Sequence, residues 1–183
     1  MELPDYAECL KSFCRRRHTS CYLAGTMTDR HIDDGTSIHD FTDLFLVQCP
    51  KCSECAEVRR VSSERTPRPW QAKFCCAECA TVQTGQLFGW SENLPVDWIF
   101  RYPLWLQADC CGQTLWAYNL EHLNFLESYI GAKHRVGLSP SDAQEIGYRN
   151  STLASRLPTW MIAAKNRDAV LKTIRKLKVR CAT

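Results

Sequence analysis

Two C-x-x-C pairs constrain this chain more than any other feature of its sequence. Cys49-Pro50-Lys51-Cys52 and Cys76-Ala77-Glu78-Cys79 are separated by residues 53–75. A two-residue gap lets the backbone turn through a tight knuckle in which both sulfurs converge on one ion, with nearby N–H groups aimed at them. Two knuckles supply four thiolates, the tetrahedral set that Zn²⁺ favours in closed structural sites. The separation slightly exceeds the usual span of roughly 15 to 20 residues. The extra residues fit a polar loop containing Pro67 and Pro69, both hostile to a central strand.

The first knuckle has two registers, because Cys52-Ser53-Glu54-Cys55 is also C-x-x-C. Pro50 stiffens the turn between Cys49 and Cys52 and favours that pair. The second knuckle has one register, since the residue three after Cys75 is Glu78. The metal ligands expected are Cys49, Cys52, Cys76 and Cys79, leaving Cys55 and Cys75 as small buried hydrophobes. Four thiolates around Zn²⁺ carry a formal charge of −2, which N–H···S bonds or cations such as Lys51, Arg59 or Lys73 must offset. Metal binding in such a site supplies roughly 10 kcal/mol or more of folding energy. A short β unit with a small core depends on that.

The patterning around the knuckles changes twice along the chain. Residues 1–43 read as an N-terminal extension, partly helical or flexible. Leu3, Ala7, Leu10 and Cys14 recur at helical spacing there, and an acidic stretch with Asp29, Asp33, Asp34, Gly35 and Asp40 reads as loop or linker. Residues 44–118 carry β signals: the apolar run Leu44–Val47, Val58–Val61, and Thr81-Val82 after the second knuckle. Leu104–Leu106 and Leu115–Tyr118 flank Asp109-Cys110-Cys111-Gly112, a hairpin with Asp at the first turn position and Gly at the last.

Residues 119–183 are helical. Leu120, Leu123, Leu126 and Ile130 recur every three or four residues behind Asn119 as cap. A second helix is expected near Pro140 and Asp142. Pro158 suits the first turn of a helix through Trp160, Met161 and Ile162. In the last helix, capped by Asp168, Val170, Leu171, Ile174 and Leu177 form one face. The expected fold class is α+β: an antiparallel, zinc-ribbon-like β unit followed by a helical region.

Knuckle, strand, loop, strand, knuckle and further strand is the order that resembles the zinc-ribbon class, over about Leu44 to Tyr118. Beyond the ribbon, Pro103–Gln107, Cys110–Gly112, Leu115–Asn119, Ser155–Met161 and Ala164–Arg167 are similar to an uncharacterised bacterial family labelled as carrying a transcription-factor-type zinc ribbon. The resemblance implies Zn²⁺ at the four cysteines and brings no established activity. Ser53 and Ala80 depart from the pattern, since ribbons often have Gly there to relieve a positive φ.

Twelve cysteines in a secreted chain would indicate disulfides. Here the opening residues, Met-Glu-Leu-Pro-Asp, lack a basic segment followed by an apolar one, so a cytoplasmic protein with metal-ligating or free thiols is expected. No apolar run approaches the roughly 20 residues of a membrane span. H-E-x-x-H, P-loop, G-x-S-x-G and G-x-G-x-x-G motifs are absent from the sequence. An all-cysteine site leaves no open position for water, so the expectation is a non-catalytic module with no small-molecule substrate.

Charge points to the partner. From Arg156 onward there are eight basic residues and one acid, a tail of +7 in a chain of net +3, so residues 1–155 carry −4. A basic end on a mildly acidic body suits a polyanion, and a solvated helix face has the same composition. Nucleic acid or protein is the expected partner. Arg65, Arg68, Trp70 and Lys73 combine charge with an aromatic ring suited to base stacking. Lys172, Arg175, Lys176 and Arg180 line the final helix. The tryptophans at 98, 105, 116 and 160 lie in apolar segments and read as core. An alternative function is a redox-responsive switch in which cysteine oxidation ejects zinc. Cys110-Cys111 reads as an ordinary turn, with an added ligand or a redox pair as the competing readings.

Overall fold

The computed structural model describes residues 30–61, 70–87, 94–137 and 152–182. The helical spacing at residues 3–14, the helix expected near Pro140, and the loop with Arg65 and Arg68 lie outside them. The fold is α+β, as the patterning implies. Its centre is an antiparallel meander of β2 (Leu44–Gln48), β3 (Cys55–Arg60), β4 (Trp70–Cys75) and β5 (Val82–Leu87), in that spatial order.

Alternation along these strands sorts side chains onto two faces. Phe45 lies opposite Val58, and Val58 opposite Phe74, so one row crosses three strands. This row is the middle of the first core, with Val47, Ala56, Trp98, Leu104 and Tyr118. The Trp98 indole N–H donates to the Tyr118 hydroxyl at 2.9 Å, which satisfies a buried polar pair. On the other face, Leu44 and Leu46 join a second core. Strand β2 is therefore covered on both sides, and its apolar run is continuous instead of alternating.

The second core is built from the hairpin β6 (Leu106–Cys110) and β7 (Gln113–Ala117) and from two longer helices, α1 (Leu120–Gly131) and α4 (Arg167–Ala182). The hairpin leans on the outer edge of β2. The Trp105 N–H donates to the Leu46 carbonyl, and the Leu46 N–H to that of Tyr118, at 2.8 and 2.7 Å. Asn119 caps α1 as expected: its side chain accepts from the His122 N–H and donates to the carbonyls of Phe41 and Leu44. The last helix buries Val170, Leu171, Ile174 and Leu177. Asp168 is not its cap. The helix starts one residue earlier, behind a 3-10 turn at Ala164–Asn166, and Asp168 sits inside the first turn, where its charge still complements the helix dipole. Pro158 precedes the short α3 (Thr159–Ile162), which follows α2 (Leu153–Arg156).

From Arg30 onward, the acidic stretch expected as a loop or linker is tied into this body. Strand β1 (Arg30–Ile32) pairs in parallel with β8 (His134–Val136). The buried Asp33 carboxylate accepts from the Thr152 hydroxyl at 2.8 Å, and Ser37 and Asp40 form a capping box on the 3-10 helix Ile38–Phe41. Ile38 and Phe41 enter the first core. Among the described residues, no helix is long and apolar enough to cross a membrane.

Candidate metal centre

In an antiparallel meander, alternate connections fall at the same end of the sheet. The connections β2–β3 and β4–β5 are the two knuckles, and the β3–β4 register, which sets Glu57 opposite Cys75, brings them level. Each knuckle closes in the same way. The N–H of the first cysteine donates to the carbonyl five residues on, Cys49 to Glu54 at 2.8 Å and Cys76 to Thr81 at 2.9 Å. Four residues after each first cysteine the backbone turns left-handed: Ser53 has φ +66° and Ala80 φ +56°. These are the two positions where ribbons favour glycine. The turn geometry is kept here with side chains that strain it.

The Sγ atoms of Cys49, Cys52, Cys76 and Cys79 lie within 4.8 Å of one another. The Cys49–Cys79 and Cys52–Cys76 sulfur separations are 3.6 and 3.5 Å. Four sulfurs about 2.3 Å from a tetrahedral centre stand about 3.8 Å apart, so the cluster has the dimensions of a closed four-cysteine site. It could hold a metal ion. Cys49 and Cys76 are buried, while Cys52 and Cys79 are half-buried toward solvent.

Donors to sulfur are in place. The Lys51 N–H donates to Cys49 Sγ at 3.4 Å. The Thr81 hydroxyl, 3.1 Å from Cys79 Sγ, pulls that thiol down to about 6, and the Thr81 backbone and the sulfurs of Cys76 and Cys49 add to the shift. Burial pushes Cys76 up. A bound cation reverses that penalty, because it stabilises the thiolate directly. Thr81 is a sulfur donor that the motif reading misses; its place two residues after the last ligand is the available signal.

The register of the first knuckle is resolved. Cys55 is the first residue of β3, and its side chain packs into the second core near Arg180 and Cys181, where burial pushes its thiol up to about 12. It faces away from the four clustered sulfurs. Cys75, expected as a small buried hydrophobe, is instead half-buried and disulfide-bonded.

The remaining candidates are spread over the surface. Trp70 packs against the first core, stacked on Trp98 with ring centroids 5.7 Å apart and with the Arg60 guanidinium 4.6 Å from its own centroid. Lys73 lies on the opposite face of β4, alongside Arg59 of β3. On α4, Lys172, Arg175, Lys176 and Arg180 are exposed. Arg175 pairs with Glu127 at 3.1 Å, and the Arg180 guanidinium stacks 3.7 Å over Trp105. Of the tryptophans expected in the core, Trp98 is fully buried, and Trp105, Trp116 and Trp160 are half-buried at the margins of the two cores.

A search of protein-family models finds no match to the chain, and no match is found among curated proteins or among solved structures.

Proposed function

We propose that this protein is a non-catalytic zinc-binding module in which Zn²⁺, held by Cys49, Cys52, Cys76 and Cys79, fixes two β-hairpin loops into one rigid end of the sheet. The observation that carries this reading is the approach of four sulfurs, from two knuckles, to tetrahedral-edge distances. The donor set favours Zn²⁺ or a similar thiophilic ion over hard cations, which take oxygen ligands. Four protein ligands complete the tetrahedron, so the ion acts as a structural cross-link and has no position for substrate.

The module serves as an interaction platform, with nucleic acid as the partner that the charge distribution favours. Lys172 and Lys176 lie one turn apart on the exposed side of α4, and Arg175 and Arg180 flank them. Phosphate contacts made this way are non-specific and salt-sensitive. Two measurements test the proposal. Elemental analysis of purified protein should find about one zinc per chain; folded, metal-free protein would overturn the metal assignment. Labelled DNA and RNA, single- and double-stranded, should bind at low salt and lose affinity steeply as salt rises. Absence of binding at low salt removes nucleic acid as the partner and leaves a protein-binding module.

A further inference from the structure

A second pair of cysteines lies outside the four-sulfur cluster. Cys110 is the last residue of β6 and pairs with Gln113, so the hairpin closes through two residues, Cys111 and Gly112. Both have positive φ, +54° and +74°, as a type I′ turn requires. Asn, Asp or Gly usually fills the first of these positions. The sequence expectation of a four-residue turn opening at Asp109 is thereby corrected. Asp109 stays in the ladder opposite Thr114, because only a turn centred on Cys111-Gly112 matches the twist of the strands.

The left-handed turn has a chemical consequence. Consecutive residues of an extended strand send their side chains to opposite faces. Here the reversal at Cys111 brings its sulfur back to 3.9 Å from that of Cys110. Two thiolates on one ion, about 2.3 Å from each and at a tetrahedral angle, stand about 3.8 Å apart. The pair therefore already spans one edge of a thiophilic coordination tetrahedron. Cys110 is 5% exposed and is held by the second core, while Cys111 is exposed. Around Gly112 the space is open, with nothing within 4 Å of where a Cβ would stand. The exposure of Cys111 leaves its sulfur within reach of solvent or an incoming ligand.

We propose that Cys110 and Cys111 form a second, open site for a soft divalent cation of the Zn²⁺ or Cd²⁺ type, distinct from the closed four-cysteine centre and independent of the function proposed above. Binding forms two sulfur–metal bonds and releases the two thiol protons to solvent, with no change of oxidation state. Two sulfurs hold the ion less tightly than four, so the site loads after the closed centre and exchanges faster.

The test is a Cd²⁺ titration of the full chain, first loaded at its four-cysteine centre, followed by thiolate-to-metal charge-transfer absorbance. Wild type is compared with Cys111→Asn, which suits a left-handed turn position, and with Cys111→Ser, which keeps the side chain small and polar. The remaining cysteines are common to all three proteins, so the difference isolates the pair. Both folded variants should take up one Cd²⁺ fewer per chain than wild type while retaining the metal of the closed centre. Equal uptake by wild type and Cys111→Asn overturns the second site and leaves the four-cysteine assignment untouched. Wild type that holds no metal at the four cysteines, yet takes up one Cd²⁺ more than both variants, refutes the four-cysteine assignment alone.

Discussion

Cys52 and Cys76 hold their sulfurs 3.5 Å apart across 24 residues of sequence, and the pairing of β3 with β4 brings their two knuckles level. Cys76→Ser should therefore abolish metal retention, since a hydroxyl is a poor fourth ligand in a sulfur site. It should also remove much of the metal-coupled folding energy, which is of order 10 kcal/mol in such centres. Cys55→Ser should keep the metal, because that sulfur belongs to the second core. Metal content and urea unfolding with and without a chelator check both outcomes. Equal metal loss from the two variants would show that the register of the first knuckle is wrong.

The left-handed positions of the two knuckles make the opposite kind of prediction. Ala80 at φ +56° and Ser53 at φ +66° each carry a Cβ where glycine has none. Ala80→Gly should stabilise the protein by about 1 kcal/mol, net of the entropy glycine adds to the unfolded chain. Ser53→Gly should act in the same direction. Denaturant midpoints at fixed metal occupancy measure the gain, and a loss of stability in Ala80→Gly would contradict the strain argument.

Helix α1 ends against two arginines. Arg135 donates to the carbonyls of Tyr129, Ile130 and Ile162, and Arg167 donates to that of Gly131. Those of Tyr129, Ile130 and Gly131 are terminal carbonyls with no partner inside the helix, and positive charge there also complements its dipole. Arg135→Ala should cost about 2 kcal/mol, more than Arg135→Lys, whose ammonium cannot reproduce the planar fork. Thermal unfolding of the two variants ranks them.

His122 makes stability depend on pH. It is 2% exposed, stacked on Phe41, and its Nδ1 accepts from the Tyr118 N–H. Burial pulls its pKa down from the ordinary 6.5 to about 3. Between those values the unfolded chain binds a proton that the folded chain does not, so stability rises with pH through this window and falls on acidification. The slope is about 1.4 kcal/mol per pH unit, present from just below 6.5 down to about 3 and absent above 6.5. His122→Phe should flatten this part of the profile, even if the variant is less stable at neutral pH because the Tyr118 N–H loses its acceptor. Unfolding free energies at about pH 7 and about pH 5 for both proteins, at equal metal occupancy, separate the histidine from acid release of the metal. An unchanged slope in His122→Phe would rule His122 out as its source.

Residues whose signal is local are readable in the sequence. The C-x-x-C spacing locates all four clustered cysteines, the helical period of Leu123, Leu126 and Ile130 locates α1, and Asn119 announces its start. The glycine departures at Ser53 and Ala80 mark the left-handed turns of the two knuckles. Boundaries are less legible where competing turns exist, as at Asp109 and Asp168, because turn and cap propensities differ by less than the packing energy that overrides them.

What the sequence determined alone is the chemistry available: four thiolates in two knuckles, one β unit and a basic amphipathic helix. Tertiary structure decided which face each group uses. It turned Cys55 into the second core, set Trp70 against Trp98, engaged Arg175 with Glu127 and brought Asp33 to Thr152, 119 residues away. Those outcomes depend on strand register, and register is set by the burial of whole rows such as Phe45, Val58 and Phe74. A shift by one residue would send every one of those side chains to the other face, and no single position records that cost.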